Sequence, residues 1–112
     1  MKVTFLGTGT STGIPTIGVK RESCLSSDKR DNRLRSSILI EYKSKSILID
    51  CGPDFRQQML RINKTKVDAI FFTHEHADHT AGLDDIRPIS FHHGKIPIYA
   101  HQRVVDKFKK QV

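Results

Sequence analysis

The stretch from Val67 to His79 limits most strongly what this chain can become. An apolar-rich run, Val67 to Phe72, leads directly into Thr73-His74-Glu75-His76-Ala77-Asp78-His79. Imidazole nitrogen and carboxylate oxygen are ligand types that suit zinc, manganese or iron. Residues two apart in an extended segment point to the same side, so His74 and His76 are placed to grip one ion while Glu75 and Ala77 face away. Asp78 and His79 do not easily join that small coordination sphere, and the spacing therefore predicts a second ion beside the first. The helical His-Glu-x-x-His pattern sets its ligands four apart on one helix face; here a strand must run into a turn instead. The competing reading is a polar loop that happens to be rich in histidine.

Around this stretch the chain alternates strand and helix patterns. Lys2 to Leu6 reads as a first strand that stops at Gly7, followed by a Gly-, Thr- and Ser-rich loop to Gly18. The spacing Gly7-x-Gly9-x-x-x-Gly13 is followed by Ile14-Pro15 where a dinucleotide-binding helix would have to begin, so that reading is rejected. Lys20 to Arg35 is charged and irregular, a surface excursion. Ser37 to Tyr42 and Ser46 to Asp50 form a hairpin across Lys43-Ser44-Lys45, with Ile47-Leu48-Ile49 predicted to be central in the sheet. Gly52-Pro53-Asp54 opens a helix whose Phe55, Met59 and Ile62 face the core. Val67 to Phe72 is predicted to be a strand buried on both faces, delivering His74 at its carboxyl end, where open sheets bind ligands. Thr80 to Leu83 makes a short helical turn, Pro88 breaks the chain, and Ile96 to Ala100 is a strand whose proline marks either an edge or a strand start. Gln102 to Lys110 is a helix with Val104, Val105 and Phe108 on one face, a face that needs cover.

Composition sets outer limits. The 112 residues suffice for one small domain. No apolar run approaches the roughly 20 residues of a membrane helix, and the start carries no signal-peptide core, so a cytoplasmic protein is expected. Cys24 and Cys51 are far apart and read as free, half-buried thiols. The formal charge of +7 favours phosphate-bearing partners such as nucleotides or RNA, against the alternative of a solvated basic face.

The same residues carry a family resemblance. His-x-His-x-Asp-His after a strand resembles the metal-binding motif of the metallo-β-lactamase superfamily, and Phe5 to Ser11 resembles its opening strand and glycine loop. Gly13-Ile14-Pro15, Arg33 to Ser37, Asp50 to Phe55 and Gly82 to Pro88 are similar to the branch containing the cyclic-phosphate phosphodiesterase of phosphonate breakdown. More distantly, the chain resembles the endonucleases that trim transfer RNA 3′ ends. The resemblance implies an α/β fold in which residues 1–112 form the amino-terminal half of an αββα sandwich. Relatives in this branch often carry several cysteines after the Gly-Ile-Pro loop that hold a structural zinc. Here Val19 and Arg21 stand in that stretch and only Cys24 remains, so that auxiliary site is expected to be lost.

Function follows as an expectation. The resemblance implies a dinuclear metallohydrolase with zinc as the first choice of ion and manganese or iron as alternatives. His74 and His76 would hold one ion, Asp78 and His79 the other, and Asp78 would also orient a metal-bridging hydroxide or act as base. Four protein ligands leave each ion about two, whereas catalytic zinc usually takes three and a water. The remaining ligands must come from absent carboxy-terminal sequence or from a second copy of the chain, with His92, His93 and His101 read as surface or capping residues. Asp50 is either an acceptor behind a ligating imidazole or a turn aspartate. Arg33, Arg35 and Arg87 are either phosphate contacts or surface ion pairs. A phosphodiester is the preferred substrate. The alternatives are a thioester or lactone on the same scaffold, and a small protein that binds metal or nucleic acid without catalysis.

Overall fold

Period-two alternation of apolar residues builds one mixed five-stranded sheet. A computed structural model describes residues 1–111 of the chain; Val112 lies outside the described residues. The strands follow one another in chain order: β1 (Lys2–Gly7), β2 (Ser37–Tyr42), β3 (Lys45–Ile49), β4 (Ala69–Phe71) and β5 (Ile98–Tyr99). The first three are antiparallel, and β3, β4 and β5 are parallel. Lys43 and Ser44 both take positive φ, 46° and 66°, which closes β2 onto β3 with the two-residue turn that matches strand twist. Parallel neighbours need crossovers. Helix α2 (Phe55–Arg61) joins β3 to β4, and α3 (Ala77–Thr80), a 3₁₀ turn (Leu83–Ile86) and α4 (Arg87–His93) join β4 to β5. Helix α5 (Gln102–Gln111) follows the last strand. A short α1 (Glu22–Leu25) and a 3₁₀ turn (Lys29–Asp31) give the charged excursion local order.

The helices cover a single face of the sheet. Leu6, Leu39, Leu48 and Ile70 are fully buried and cluster with Phe55 and Met59 of α2, Ile89 of α4 and Val104 of α5. Phe72 meets the Phe108 ring edge-on at 5.1 Å. The apolar side of α5, a face that needs cover, is therefore covered by this sheet.

The bare surface lies on the opposite side of the sheet. Paired registers set Phe5, Ile38, Ile49, Phe71 and Tyr99 in one cross-strand row, and Val3, Ile40, Ile47 and Ala69 in the next. Phe5 is 65% exposed, Tyr99 51% and Val3 50%. The strand foreseen over Val67 to Phe72 is thus buried on one face only. It is also shorter, because Asp68 at its head accepts the Ser46 amide at 2.7 Å and pairs with Lys66 rather than packing.

Two further boundaries move. The helical turn placed at Thr80 to Leu83 begins at Ala77, so it carries Asp78 and His79. Pro88 opens α4 instead of breaking the chain, because the first helical turn needs no amide hydrogen from it.

Candidate metal centre

The carboxyl ends of β3 and β4 meet at one end of the sheet, and each delivers part of a polar cluster. Asp50 leaves β3 with φ 64°, a left-handed conformation that aspartate tolerates better than bulky residues do. Its carboxylate is buried yet fully engaged. Oδ1 accepts the Thr73 amide at 2.8 Å, and Oδ2 accepts the Thr73 hydroxyl at 2.7 Å and His79 Nδ1 at 2.7 Å. Thr73 Oγ also lies 2.8 Å from His74 Nδ1.

One proton count orders this chain of bonds. The threonine hydroxyl has a single hydrogen and gives it to Asp50, so it can only accept from His74. Both His74 and His79 then carry their proton on Nδ1, and both leave an unprotonated Nε2 in the neutral ring. Ligation through Nε2 requires this tautomer, fixed by an acceptor behind the ring.

Backbone packing brings the second half of the motif against the first. Cys51 N–H donates to the His79 carbonyl at 2.9 Å, and Gly82 N–H donates to the Cys51 carbonyl at 2.9 Å. A Cβ on Gly52 would collide with the Asp78 carbonyl oxygen, and one on Gly82 would collide with the Gly52 carbonyl oxygen. These two glycines allow α3 to lie directly on the turn after β3. Cys51 is buried beneath that contact, and burial pushes its thiol from 9.0 up to about 12.

The four residues singled out from the sequence converge. The His74 ring lies 4.5 Å from that of His76 and 4.1 Å from that of His79, centroid to centroid. Asp78 Oδ2 lies 3.0 Å from His79 Nε2. An imidazole lone pair and a carboxylate oxygen at that distance need a cation between or beside them, either a proton or a metal ion. The donor chemistry thus fits a divalent ion. Donor atoms of Asp50, His74 and His79 come within 4.8 Å of one another, but the three hydrogen bonds on Asp50 make it the residue that holds His79 rather than a further ligand. Of the two roles open to Asp50, the acceptor behind an imidazole is the one the bonds describe.

The backbone runs from a strand into a turn, with the regular strand ending before the histidines. Regular β4 ends at Phe71, and His76 sits in extended conformation just before α3. Thr73 had no assigned role, and its only sequence signal was a hydroxyl at a strand end beside the first histidine. Outside the cluster, His92 and His93 are exposed at the end of α4, and His101 Nδ1 accepts the Arg103 amide at 3.1 Å as a helix cap. Arg35 pairs with Asp54 at 3.0 Å and Arg87 with Asp84 at 2.8 Å. Arg33 instead donates to the Thr8 hydroxyl at 3.0 Å. Cys24 accepts the Thr16 amide at 3.5 Å and is a free thiol, like Cys51. Among the described residues no helix is long and apolar enough to cross a membrane.

Sheet order, crossovers and the histidine corner together define a metallo-β-lactamase fold. Residues 45–112 match the family model described as "Beta-lactamase superfamily domain", and the chain belongs to that family. The crystal structure of a diphosphatase from the PhnP family superposes with a TM-score of 0.89 at 48% identity, covering 97% of this chain and 46% of that one. An octanoyltransferase of Porphyromonas gingivalis is 46% identical over 113 residues, 100% of this chain and 23% of that protein. A ribonuclease Z of Methanococcus maripaludis is 33% identical over 101 residues, 88% of this chain and 28% of that protein. The chain spans less than half the length of each.

Proposed function

We propose that this chain is the amino-terminal half of a dinuclear, metal-dependent phosphodiesterase. The observation that carries the reading is the relay from Asp50 through Thr73, which turns the Nε2 atoms of His74 and His79 into metal donors beside His76 and Asp78. His74 and His76 are assigned to one ion, Asp78 and His79 to the other. Zinc suits this nitrogen and oxygen set first, with manganese and iron as alternatives. When bound, such a pair of ions acidifies water and neutralises charge on the group under attack. The Asp78 carboxylate, 3.0 Å from His79 Nε2, would help hold the second ion and would be placed to orient a water or accept a proton there. The Asp50 carboxylate keeps His79 from rotating and returns a stabilising negative charge to the ring.

The phosphodiester substrate is supported by likeness to a ribonuclease Z and a PhnP-family diphosphatase, and by the +7 charge. The remaining ligands are assigned to a carboxy-terminal half whose second sheet rests on the open face of Val3, Phe5, Phe71 and Tyr99. That completes the αββα sandwich.

Zinc titration of the folded chain, followed by turnover assays on the chain joined to the back half of the PhnP-family diphosphatase, tests the reading. The expected result is zinc uptake that His74→Ala and His79→Ala each weaken strongly, with an aryl phosphodiester cleaved faster than an aryl thioester. A folded chain that ignores zinc would sink the metal assignment. Faster thioester cleavage would move the substrate to acyl esters.

A further inference from the structure

Beyond the histidine corner, the same end of the sheet carries a second polar feature. A cleft of about 310 Å³ opens at the free edge of β1, lined by Gly7, Thr8, Arg30, Asn32, Arg33 and Arg61. Three guanidiniums border it, but they are not equivalent. Arg30 is neutralised by Asp28, with bonds of 2.7 Å and 3.1 Å to one carboxylate oxygen. Arg33 and Arg61 have no ion-pair partner among the described residues. Each is steadied by one neutral acceptor: Arg33 Nη1 donates to Thr8 Oγ at 3.0 Å, and Arg61 Nη2 donates to the Leu6 carbonyl at 2.6 Å.

A guanidinium offers five N–H donors, so each of these two keeps most of its donors and its whole charge unspent. The Arg33 backbone is also fixed, exchanging hydrogen bonds with Ile14 at 2.8 Å and 2.9 Å. Two anchored, unpaired guanidiniums on one cleft form an oxyanion receptor, because their forked donors match phosphate oxygens in pairs.

Position connects this cleft to the proposed chemistry. Gly7 at its floor pairs with Ser37, and Ser37 Oγ donates to the Asp50 carbonyl at 2.8 Å. Three strand spacings separate β1 from β4, whose end leads to His74, roughly 14 Å at the usual interval, so one short polynucleotide can reach both places. We propose that Arg33 and Arg61 form a subsite for a backbone phosphate of a nucleic-acid substrate, further along the same strand from the phosphate held at the histidine corner. This rests on the phosphodiester reading and narrows it from small esters to a polynucleotide.

The test is fluorescence anisotropy of a short labelled single-stranded RNA on the folded chain across a salt series, with Arg33→Gln and Arg61→Gln. Each substitution is expected to weaken binding about tenfold, the loss of one charge-assisted contact, and to lower the salt slope by about one. Arg61 also steadies β1 through Leu6, so circular dichroism accompanies its variant; Arg33, bonded there only to Thr8, carries the test if Arg61→Gln unfolds. Affinity and slope unchanged in Arg33→Gln would overturn the subsite. Inorganic phosphate shifting the arginine Nε–H resonances while RNA binding ignores the substitutions would assign a free-anion site and overturn it too. The phosphodiesterase reading can fail separately, since turnover by the joined chain is its measure and RNA affinity is not.

Discussion

The two faces of the sheet use nearly the same amino acids and meet opposite fates. On one, Leu6, Leu39, Leu48 and Ile70 are sealed under three helices. On the other, Val3, Phe5, Phe71 and Tyr99 stand in water beside half-buried isoleucines. Antiparallel sheets that face solvent normally alternate apolar with polar residues. A continuous apolar row across five strands is instead the mark of a surface made for contact. In this protein the sealed face supports the fold and the open face is proposed to receive the rest of the domain, while the candidate site sits at the end of the sheet that borders both.

Substitution on the sealed face should do the most damage. Leu48→Ala should cost about 3 kcal/mol in urea unfolding, because a fully buried leucine leaves a cavity. A loss under about 1 kcal/mol would show that the helical layer is loose and that the contrast between the faces is weaker than it looks.

Gly52→Ala tests the seam between fold and site. The added Cβ must push the Asp78 carbonyl away, with an expected cost of about 1–3 kcal/mol and a loss of zinc affinity in the same protein. Unchanged zinc uptake would detach α3 from the metal assignment. Thr73→Val is subtler. It keeps shape and removes the hydroxyl that links His74 to Asp50, and zinc affinity is expected to fall by about 10- to 100-fold, the usual loss when such a supporting partner goes. Competition with a chromophoric chelator measures it.

The open face should respond least in stability. Phe5→Thr is expected to change unfolding free energy by no more than about 0.5 kcal/mol while reducing binding of a hydrophobic dye. A large destabilisation would mean that this row is already covered.

The two cysteines sharpen the contrast at alkaline pH. Burial raises the Cys51 thiol from 9.0 to about 12, so the folded state holds its proton where the unfolded chain has released it. Stability from this group is complete below pH 9 and is lost as pH rises toward 12. A thiol reagent near neutral pH should therefore modify Cys24 and spare Cys51 until the chain unfolds.

Much of this could be read before folding. The hairpin, the central place of β3, the helix after Gly52-Pro53 and the existence of β5 all follow from residue pattern and turn chemistry, which act over a few residues. The features that local pattern does not give depend on what surrounds each residue, near or far in the chain. Asp68 shortens β4 because its carboxylate caps Ser46, 22 positions away. Pro88 begins a helix because the 3₁₀ turn of Leu83–Ile86 hands the chain to it in helical conformation. Thr73 looked like an ordinary strand-end residue until Asp50 and His74 were set on either side of it.

Residue type and local spacing are enough to give a strand-and-helix alternation and a histidine- and aspartate-rich corner at the end of one strand, and the motifs there carry the resemblance to a metal-binding family. Packing across the chain settles which imidazole nitrogens stay unprotonated, which face of the sheet is bare and which arginines lack an ion-pair partner among the described residues. Those depend on protons and charges shared between residues far apart in the chain, and no local pattern records where such partners will meet.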